Sequence, residues 1–123
     1  MKLVDVSVLV YAADESAANH EAARAWIERV LSSGERVLFP WLSLVGFVRI
    51  ITHSSIMSNP LTGAQAMDAL DTILDAPGAV VPVPDRDHVS RFRTLLASTA
   101  TGGNIVNDAH LAAIALQYDA TVI

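Results

Sequence analysis

Two stretches of the sequence place carboxylates where a metal ion could be bound. Asp5 interrupts an apolar N-terminal stretch, and Ser7 supplies a second side-chain oxygen two residues later. Asp108 lies in residues 102–110, where a glycine-containing loop leads into a helix. Carboxylate oxygen is the ligand that Mg²⁺ and Mn²⁺ prefer, and a water activated by such an ion can attack a phosphodiester. The two stretches therefore point to metal-assisted hydrolysis.

Each carboxylate also has an ordinary structural interpretation. Aspartate is a preferred N-cap, so Asp5 could instead begin a helix near Val6. Asp108, close to a helix N-terminus, could simply be a favourable charge against the helix dipole. A carboxylate inside an apolar stretch is costly to bury without compensation, which either a cap or a cation would provide. The local sequence leaves both interpretations open.

Several other chemistries lack their residues. The chain has no cysteine, no G-x-G-x-x-G or G-x-x-x-x-G-K-[ST] phosphate loop, and no G-x-S-x-G nucleophile motif. The four histidines lack the spacing of zinc ligands, and we expect surface or packing roles for His20, His53, His88 and His110. A net charge of −5 with a single lysine excludes a uniformly basic nucleic-acid surface.

Hydrophobic periodicity predicts strands that alternate with helices, which is typical of an α/β fold with a mostly parallel central sheet flanked by helices. Asp5 follows the first strand, and ligands of such sheets bind beyond the carboxyl ends of the strands. Pro82 predicts that the third strand is at an edge. The predicted strands are 2–4, 37–39, 80–83 and 120–123, and the predicted helices are 19–33, 41–54, 62–74, a segment from 85 or 87, and 105–118.

The same periodicity assigns a buried face to each helix. Gly34 should end the first long helix as a C-cap, and Thr62 with Gln65 has the spacing of a capping box. Residues 101–104 should form a loop before the last helix. The apolar residues that we expect inside include Leu42, Val45, Phe47, Val48, Ile51, Met67, Val89, Leu111 and Leu116.

Composition suggests how the protein associates. Hydrophobic residues make up 52% of the chain, which is high for a soluble monomer and predicts a homodimer or another buried association surface. No apolar run is long enough for a membrane span, and we find no secretion signal, so we expect no membrane association. The absence of cysteine fits a reducing compartment, and we expect a cytoplasmic protein.

Three motifs, in order and over essentially the whole chain, resemble those of a PIN domain and more narrowly of VapC-type toxins of VapBC toxin–antitoxin pairs. They are D-V-S-V-L-V-Y-A near the start, W-L-S-L-V-G-F-V-R-I in the middle, and N-D-A-H-L-A-A-I-A near the end. The resemblance implies a PIN-like α/β sandwich and an endoribonuclease dependent on Mg²⁺ or Mn²⁺. It also implies a cognate VapB-type antitoxin that neutralises the enzyme.

The resemblance also assigns roles by position. Asp5 matches the first acidic residue of the family and Asp108 the third, which makes both of them metal ligands and catalytic residues. Ser7 matches the small polar residue that supports the first carboxylate. Asn104 and Asn107 are placed beside the metal as assisting residues.

Two departures from the family pattern concern the other acidic positions. The wider family has an acidic residue, usually glutamate, where this chain has Gly46. The fourth acidic position follows the strand that begins at Ala120, so we expect residues 1–123 to be a single PIN-like domain that is truncated at its C-terminus and that by itself binds Mg²⁺ or Mn²⁺ poorly and cleaves RNA little. Asp14 and Glu15 could replace a ligand only if their loop reached the site, and we expect a solvated loop. A catalytically inactive PIN-like binding module is therefore the alternative. A response-regulator receiver would need a late lysine, and Lys2 is the only lysine.

Arginines are the candidate phosphate contacts. Arg49 is expected either to contact RNA or to pair with the site carboxylates. Arg86, Arg91 and Arg93, together with His88, are more simply a solvated helix face. Trp41 and Phe47 are expected in the core or in a groove for the antitoxin rather than as base-stacking platforms.

Overall fold

The computed structural model describes residues 1–98 and 104–123, which form one parallel sheet and six helices. The sheet has the strand order β3-β2-β1-β4, and every pairing is parallel. The strands are β1 (Lys2–Leu3), β2 (Val37–Leu38), β3 (Ala79–Val80) and β4 (Thr121–Val122). The helices are α1 (Val6–Ala13), α2 (His20–Ser33), α3 (Trp41–Ile51), α4 (Gly63–Leu74), α5 (His88–Ala97) and α6 (Asn104–Tyr118). The predicted α/β class and the edge position of the third strand are confirmed.

The central position of β1 places Asp5 at the carboxyl edge of the sheet. Backbone pairing continues past the strand on both sides, because Val4 N donates to Leu38 O at 2.9 Å and Asp5 N donates to Ile123 O at 3.1 Å. The backbone of Asp5 is therefore fixed by its neighbouring strand before α1 begins.

Local sequence signals set several helix ends as predicted. Gly34 ends α2 in the left-handed conformation with φ 76°, which glycine adopts without steric cost. Thr62 and Gln65 form the capping box of α4, with Gln65 N donating to Thr62 Oγ1 at 3.1 Å and Thr62 N donating to Gln65 Oε1 at 2.9 Å. The predicted loop at 101–104 lies outside the described residues, except that α6 begins at Asn104.

The core is divided by the sheet into two unequal parts. The larger part includes Val4, Leu44, Phe47 and Leu70 and packs α1 to α4 together against the sheet. The smaller part lies beneath α6 and consists of Leu3, Leu38, Leu111, Ile114 and Ala115. Leu3 of β1 and Val4, which follows it, thus face opposite sides of the sheet, as extended backbone geometry requires. The described α5 contributes no buried residue and packs on α6.

The buried face of α3 differs from the prediction. Leu42 and Val45 are 37% and 61% exposed, whereas Ser43 and Leu44 are buried. The reason is a tertiary contact, because the Ser43 hydroxyl donates to the Val4 carbonyl at 2.7 Å and turns this side of the helix inward. A helix that is apolar nearly all round does not reveal its buried face by periodicity. The helix also ends at Ile51, earlier than predicted.

Other apolar residues that were expected inside are exposed. Met67, Val89 and Leu116 are 53%, 63% and 62% exposed, respectively. Trp41 is 54% exposed and does not belong to the core, whereas the core position of Phe47 is confirmed. In the described part of the chain, no helix is both long and apolar enough to cross a membrane.

Candidate active site

Asp5 is held rigidly at the start of α1. It is the N-cap, and its Oδ2 accepts hydrogen bonds from the Ser7 hydroxyl at 2.7 Å and from Ser7 N at 3.3 Å. The predicted cap is therefore present. Within the described residues, Oδ1 of Asp5 accepts no hydrogen bond. Because capping uses only one carboxylate oxygen, it leaves the other available to a cation.

Asp108 is held much more loosely. It is the fifth residue of α6, one turn beyond the helix start, and its side chain is exposed. The helix dipole acts mainly within the first turn of a helix, so it stabilises a carboxylate at this position only weakly. With the residues that the structure describes, the carboxylate of Asp108 forms neither a hydrogen bond nor an ion pair.

The two carboxylates border one cavity. Asp5, Ser7 and Asp108 surround a space of about 310 Å³ at the carboxyl edge of the sheet, which we name the carboxylate cavity. Its remaining walls come from α6 and the end of the chain: Leu111, Ala112, Val122 and Ile123. Two residues distant in the sequence are thus brought to one place by the parallel pairing of β1 with β4.

A second cavity adjoins the first. It has a volume of about 220 Å³, and the polar side chains that line it are those of Asp5, Ser43, Arg49 and Asn107, with Gly46 beside them. We name it the arginine cavity. Asp5 borders both cavities, so this residue is shared between the cavity that contains Arg49 and the cavity that contains Asp108.

The donor set fits an open magnesium-type site. Magnesium in proteins is commonly bound through one or two carboxylates and keeps several waters. Oδ1 of Asp5 and the carboxylate of Asp108, which are both unbonded among the described residues, match that requirement. Among residues 1–98 and 104–123, however, no three His, Asp or Glu side chains cluster closely enough to enclose a metal. The residues present suit a hydrated ion rather than a closed cage.

Gly46 supplies no carboxylate, and its surroundings explain why a side chain is disfavoured there. A Cβ at this position would lie 3.1 Å from Val6 Cγ2, closer than ordinary van der Waals contact. The glycine therefore allows α1 and α3 to approach each other. Asp14 and Glu15 do not replace the missing ligand, because they border a separate cavity with Met57 beyond the other end of α1.

The arginines differ in their availability. In the part of the chain that the structure describes, the ion pairs are Arg24 with Glu28 and Arg91 with Asp85, at 2.9 Å and 2.7 Å. The expected alternative of an ion pair between Arg49 and a site carboxylate is therefore not found. Arg86 and Arg93 are exposed on the surface around α5, and neither borders the carboxylate or the arginine cavity.

The histidines serve packing. Nδ1 of the buried His20 lies 2.8 Å from the Tyr11 carbonyl oxygen. His88 Nε2 lies 2.9 Å from His110 Nδ1, which joins α5 to α6. Burial, with a smaller contribution from nearby His88, lowers the pKa of His110. The expectation of packing roles fits these three residues.

The positions of two further residues near the site depend on tertiary packing and could not be predicted from the sequence. Sequence analysis does not identify Ser43, whose place in the arginine cavity follows from its bond to the strand-end carbonyl of Val4. Asn107 borders that cavity rather than the carboxylate cavity. The side chain of Asn104 lies outside the described part of the structure.

A parallel sheet with two aspartates at its carboxyl edge is the arrangement that the resemblance to PIN domains predicts. Residues 2–123 match the model of the PIN domain, and the chain belongs to this family.

Individual relatives make the resemblance more specific. The chain is 37% identical over 123 residues to Ribonuclease VapC37 of Mycobacterium tuberculosis, covering 100% of this chain and 85% of the relative. It is also 37% identical over 121 residues to Ribonuclease VapC43 of the same species, covering 98% and 82%. A chain in the crystal structure of VapBC2 from Rickettsia felis bound to a DNA fragment from their promoter superposes with a TM-score of 0.63. That match covers 98% of this chain and 84% of the other, and at 14% identity it shows the shared fold.

Proposed function

We propose that this protein is a VapC-type endoribonuclease toxin that hydrolyses RNA with the help of Mg²⁺ or Mn²⁺. Its relatives at 37% identity are named ribonucleases and align over the whole chain. The observation that carries the proposal is the carboxylate cavity, which Asp5 and Asp108 both border. Each of these side chains has a carboxylate oxygen that accepts no hydrogen bond from the described residues.

The residues of the carboxylate cavity would have different roles. Asp5 and Asp108 would hold the ion, and the Ser7 hydroxyl fixes the Asp5 carboxylate by donating to Oδ2. When bound, a divalent ion would supply an activated water and offset negative charge on the phosphate. The serine hydroxyls at the site donate to Asp5 and to the Val4 carbonyl, and neither is bonded to a histidine base. Water rather than a side chain is thus the expected nucleophile.

A VapB-type antitoxin is the partner that this function requires. The neighbouring Rickettsia felis structure is described as a VapBC complex. This chain has an apolar groove of about 360 Å³ along α1, α2 and α4, where a partner helix could bury its apolar face. The groove is lined mainly by Leu9, Ala12, Ile27, Leu31, Phe47, Ala69 and Ile73.

A homodimer is also part of the proposal. Trp41 and Val45 are 54% and 61% exposed on one side of α3. Exposed large apolar side chains that are grouped in this way are typical of a protein–protein interface.

An inactive PIN-like binding module is the second candidate. The observation that favours it is the absence of a carboxylate at Gly46, together with the lack of a cluster of three ligands among the described residues. Both candidates would bind RNA or the antitoxin, but only the first would cut RNA.

RNA cleavage in defined metal conditions separates the candidates. The purified full-length protein should cleave RNA with Mg²⁺ or Mn²⁺ and lose this activity in EDTA. Asp5→Asn should lower the rate by at least about a hundredfold, because loss of even an outer-shell partner of a metal site costs about 10- to 100-fold. Asparagine also caps helices, so the variant should remain folded.

The matched control is Asp71→Asn, which changes an exposed aspartate of α4 away from both cavities. It should cleave at the rate of the unmodified chain. Undiminished cleavage in EDTA or by Asp5→Asn would contradict metal-assisted hydrolysis. RNA binding without cleavage in either metal would favour the binding module.

A further inference from the structure

We propose that the arginine cavity is a second phosphate subsite, in which Arg49 binds the RNA phosphate next to the one being cleaved. This inference rests on the proposed function, since it assumes that the scissile phosphate lies in the carboxylate cavity. It assigns a substrate contact to Arg49, which is not one of the proposed metal ligands.

The position of Asp5 between the cavities is the first argument. Asp5 and Leu111 border both spaces, so the two cavities are adjacent along the carboxyl edge of the sheet. A single RNA strand carries a phosphate at every nucleotide. A strand with one phosphate beside Asp5 and Asp108 therefore presents the next phosphate to a neighbouring surface, and on one side that surface contains Arg49.

The availability of the guanidinium is the second argument. Arg49 takes part in neither ion pair of the described residues, and it is exposed. A guanidinium presents several N–H donors in a planar fork that matches phosphate oxygens. The chain has a net charge of −5, and the carboxylates repel RNA, so a local cation is needed to offset that repulsion.

The glycine one turn before Arg49 is the third argument. Helical side chains lean toward the N-terminus, so Arg49 extends over the turn that contains Gly46. Gly46 has no side chain to fill this space, and the nearby Val6 disfavours one. Gly46 therefore borders the cavity without adding a negative charge beside the cation, which suits an anion.

The remaining lining supports the same ligand. The Asn107 amide borders the cavity and can donate hydrogen bonds to phosphate oxygens. Leu42 and Val45 supply apolar lining beside these polar groups. The cavity thus combines a cation, a neutral donor and apolar side chains, with the Asp5 carboxylate at the side that it shares with the carboxylate cavity.

Arg49→Gln tests the subsite, with Arg36→Gln as the matched control. Arg36 is also exposed and without an ion pair in the described structure, but it precedes β2 and therefore lies at the opposite edge of the parallel sheet. On a short single-stranded RNA cut at one position, Arg49→Gln should lower kcat/KM by about tenfold or more, mainly through KM. Loss of one phosphate contact should also reduce the slope of log affinity against log salt by about 0.7. Arg36→Gln should change neither quantity, and equal effects of the two variants would overturn the proposal.

A methylphosphonate linkage locates the contact on the substrate. We would replace each phosphate flanking the cleaved bond, in turn, by this uncharged group. At one flanking position, the uncharged linkage should lower kcat/KM of the unmodified enzyme by as much as Arg49→Gln does on normal RNA. At that position, the linkage should cause no further loss in Arg49→Gln. If the free-energy loss from the linkage and the loss from Arg49→Gln are additive at every flanking position, Arg49 contacts no flanking phosphate.

Two further measurements separate this inference from its alternatives. RNA affinity, measured by fluorescence anisotropy, tests Arg49 even if the protein does not cleave RNA; unchanged affinity in Arg49→Gln would then overturn the subsite. If Arg49→Gln instead cleaves normally but binds the antitoxin more weakly, Arg49 recognises an acidic group of that partner and the proposal is wrong. Failure of cleavage by the unmodified full-length protein in both metals would refute the proposed function and not the subsite.

Discussion

The two carboxylates of the site border one cavity, but the protein holds them in different ways. Asp5 is partly buried, caps α1 and accepts two hydrogen bonds from Ser7. The helix that it caps packs against α2 and α3 in the larger core. The side chain of Asp108 is exposed on α6, and its carboxylate makes no hydrogen bond to any other described residue. Helix α6 itself is anchored, because Leu111, Ile114 and Ala115 are buried in the smaller core, so the contrast lies in the two side chains and not in the two helices.

This contrast shows how a small domain can combine a fixed and an adjustable carboxylate at one cavity. The two hydrogen bonds from Ser7 hold the Asp5 carboxylate in one orientation before a ligand binds. The exposed side chain of Asp108 can adopt several rotamers. We expect variants around Asp5 to affect both stability and activity, and variants of Asp108 to affect activity alone.

The largest expected effect concerns the support of Asp5. Ser7→Ala should lower the rate of RNA cleavage by about 10- to 100-fold, because it removes the hydroxyl that orients a metal ligand. The measurement is kcat/KM on a defined RNA at saturating Mg²⁺.

A matched pair elsewhere provides the control for this prediction. Ser16 donates to Asp14 Oδ1 through its hydroxyl at 2.7 Å and its backbone N at 3.0 Å, which repeats the Ser7–Asp5 arrangement outside the site. Ser16→Ala should leave cleavage unchanged. Similar losses in both variants would show that Ser7 acts on the fold rather than on the site.

A smaller effect is expected on stability. Asp5→Ala removes a helix N-cap and should lower the free energy of unfolding by about 1 kcal/mol. Asp108→Ala should change it by less than about 0.5 kcal/mol, as is usual for exposed positions. Urea denaturation measures both values. If Asp108→Ala proves as destabilising as Asp5→Ala, the two carboxylates are not held differently.

The smallest expected effect is a pH dependence of the α5–α6 side. Burial and His88 keep the pKa of His110 below its ordinary value, so the unfolded chain takes up the proton at higher pH than the folded one. The contribution to stability is therefore complete above the ordinary histidine pKa of about 6.5 and decreases as the pH falls below it. Amide hydrogen exchange should show α5 and α6 losing protection first.

Two histidine variants check the origin of this pH dependence. His110→Gln should weaken it, whereas the equivalent change of the exposed His53 should not. Equal pH dependence in the unmodified chain and in His110→Gln would show that another group is responsible.

Much of the fold could be predicted because its signals are local. The glycine at 34, the Thr62–Gln65 box and the alternation of strands with helices each depend on neighbouring residues only. The buried face of α3 could not, because its orientation depends on the bond from Ser43 to Val4, which is remote in sequence.

The candidate site shows the same division. The cap formed by Asp5 is visible in the sequence, and the resemblance to PIN domains pairs it with Asp108. The separation of the site into two cavities is not visible, because it depends on how α3 and α6 lie around Asp5. The contact that Val6 imposes on Gly46 likewise appears only when α1 and α3 are packed together.

Direct titration with Mn²⁺ tests the central claim that Asp5 and Asp108 together hold a divalent ion. Electron paramagnetic resonance would count the free ion in the presence of the purified full-length protein, of Asp5→Asn and of Asp108→Asn, with Asp14→Asn as the control. We predict that each of the two site variants weakens Mn²⁺ binding by at least about tenfold, as expected when a ligand is lost, and that Asp14→Asn binds like the unmodified chain. Unchanged affinity in either Asp5→Asn or Asp108→Asn would contradict a shared metal site.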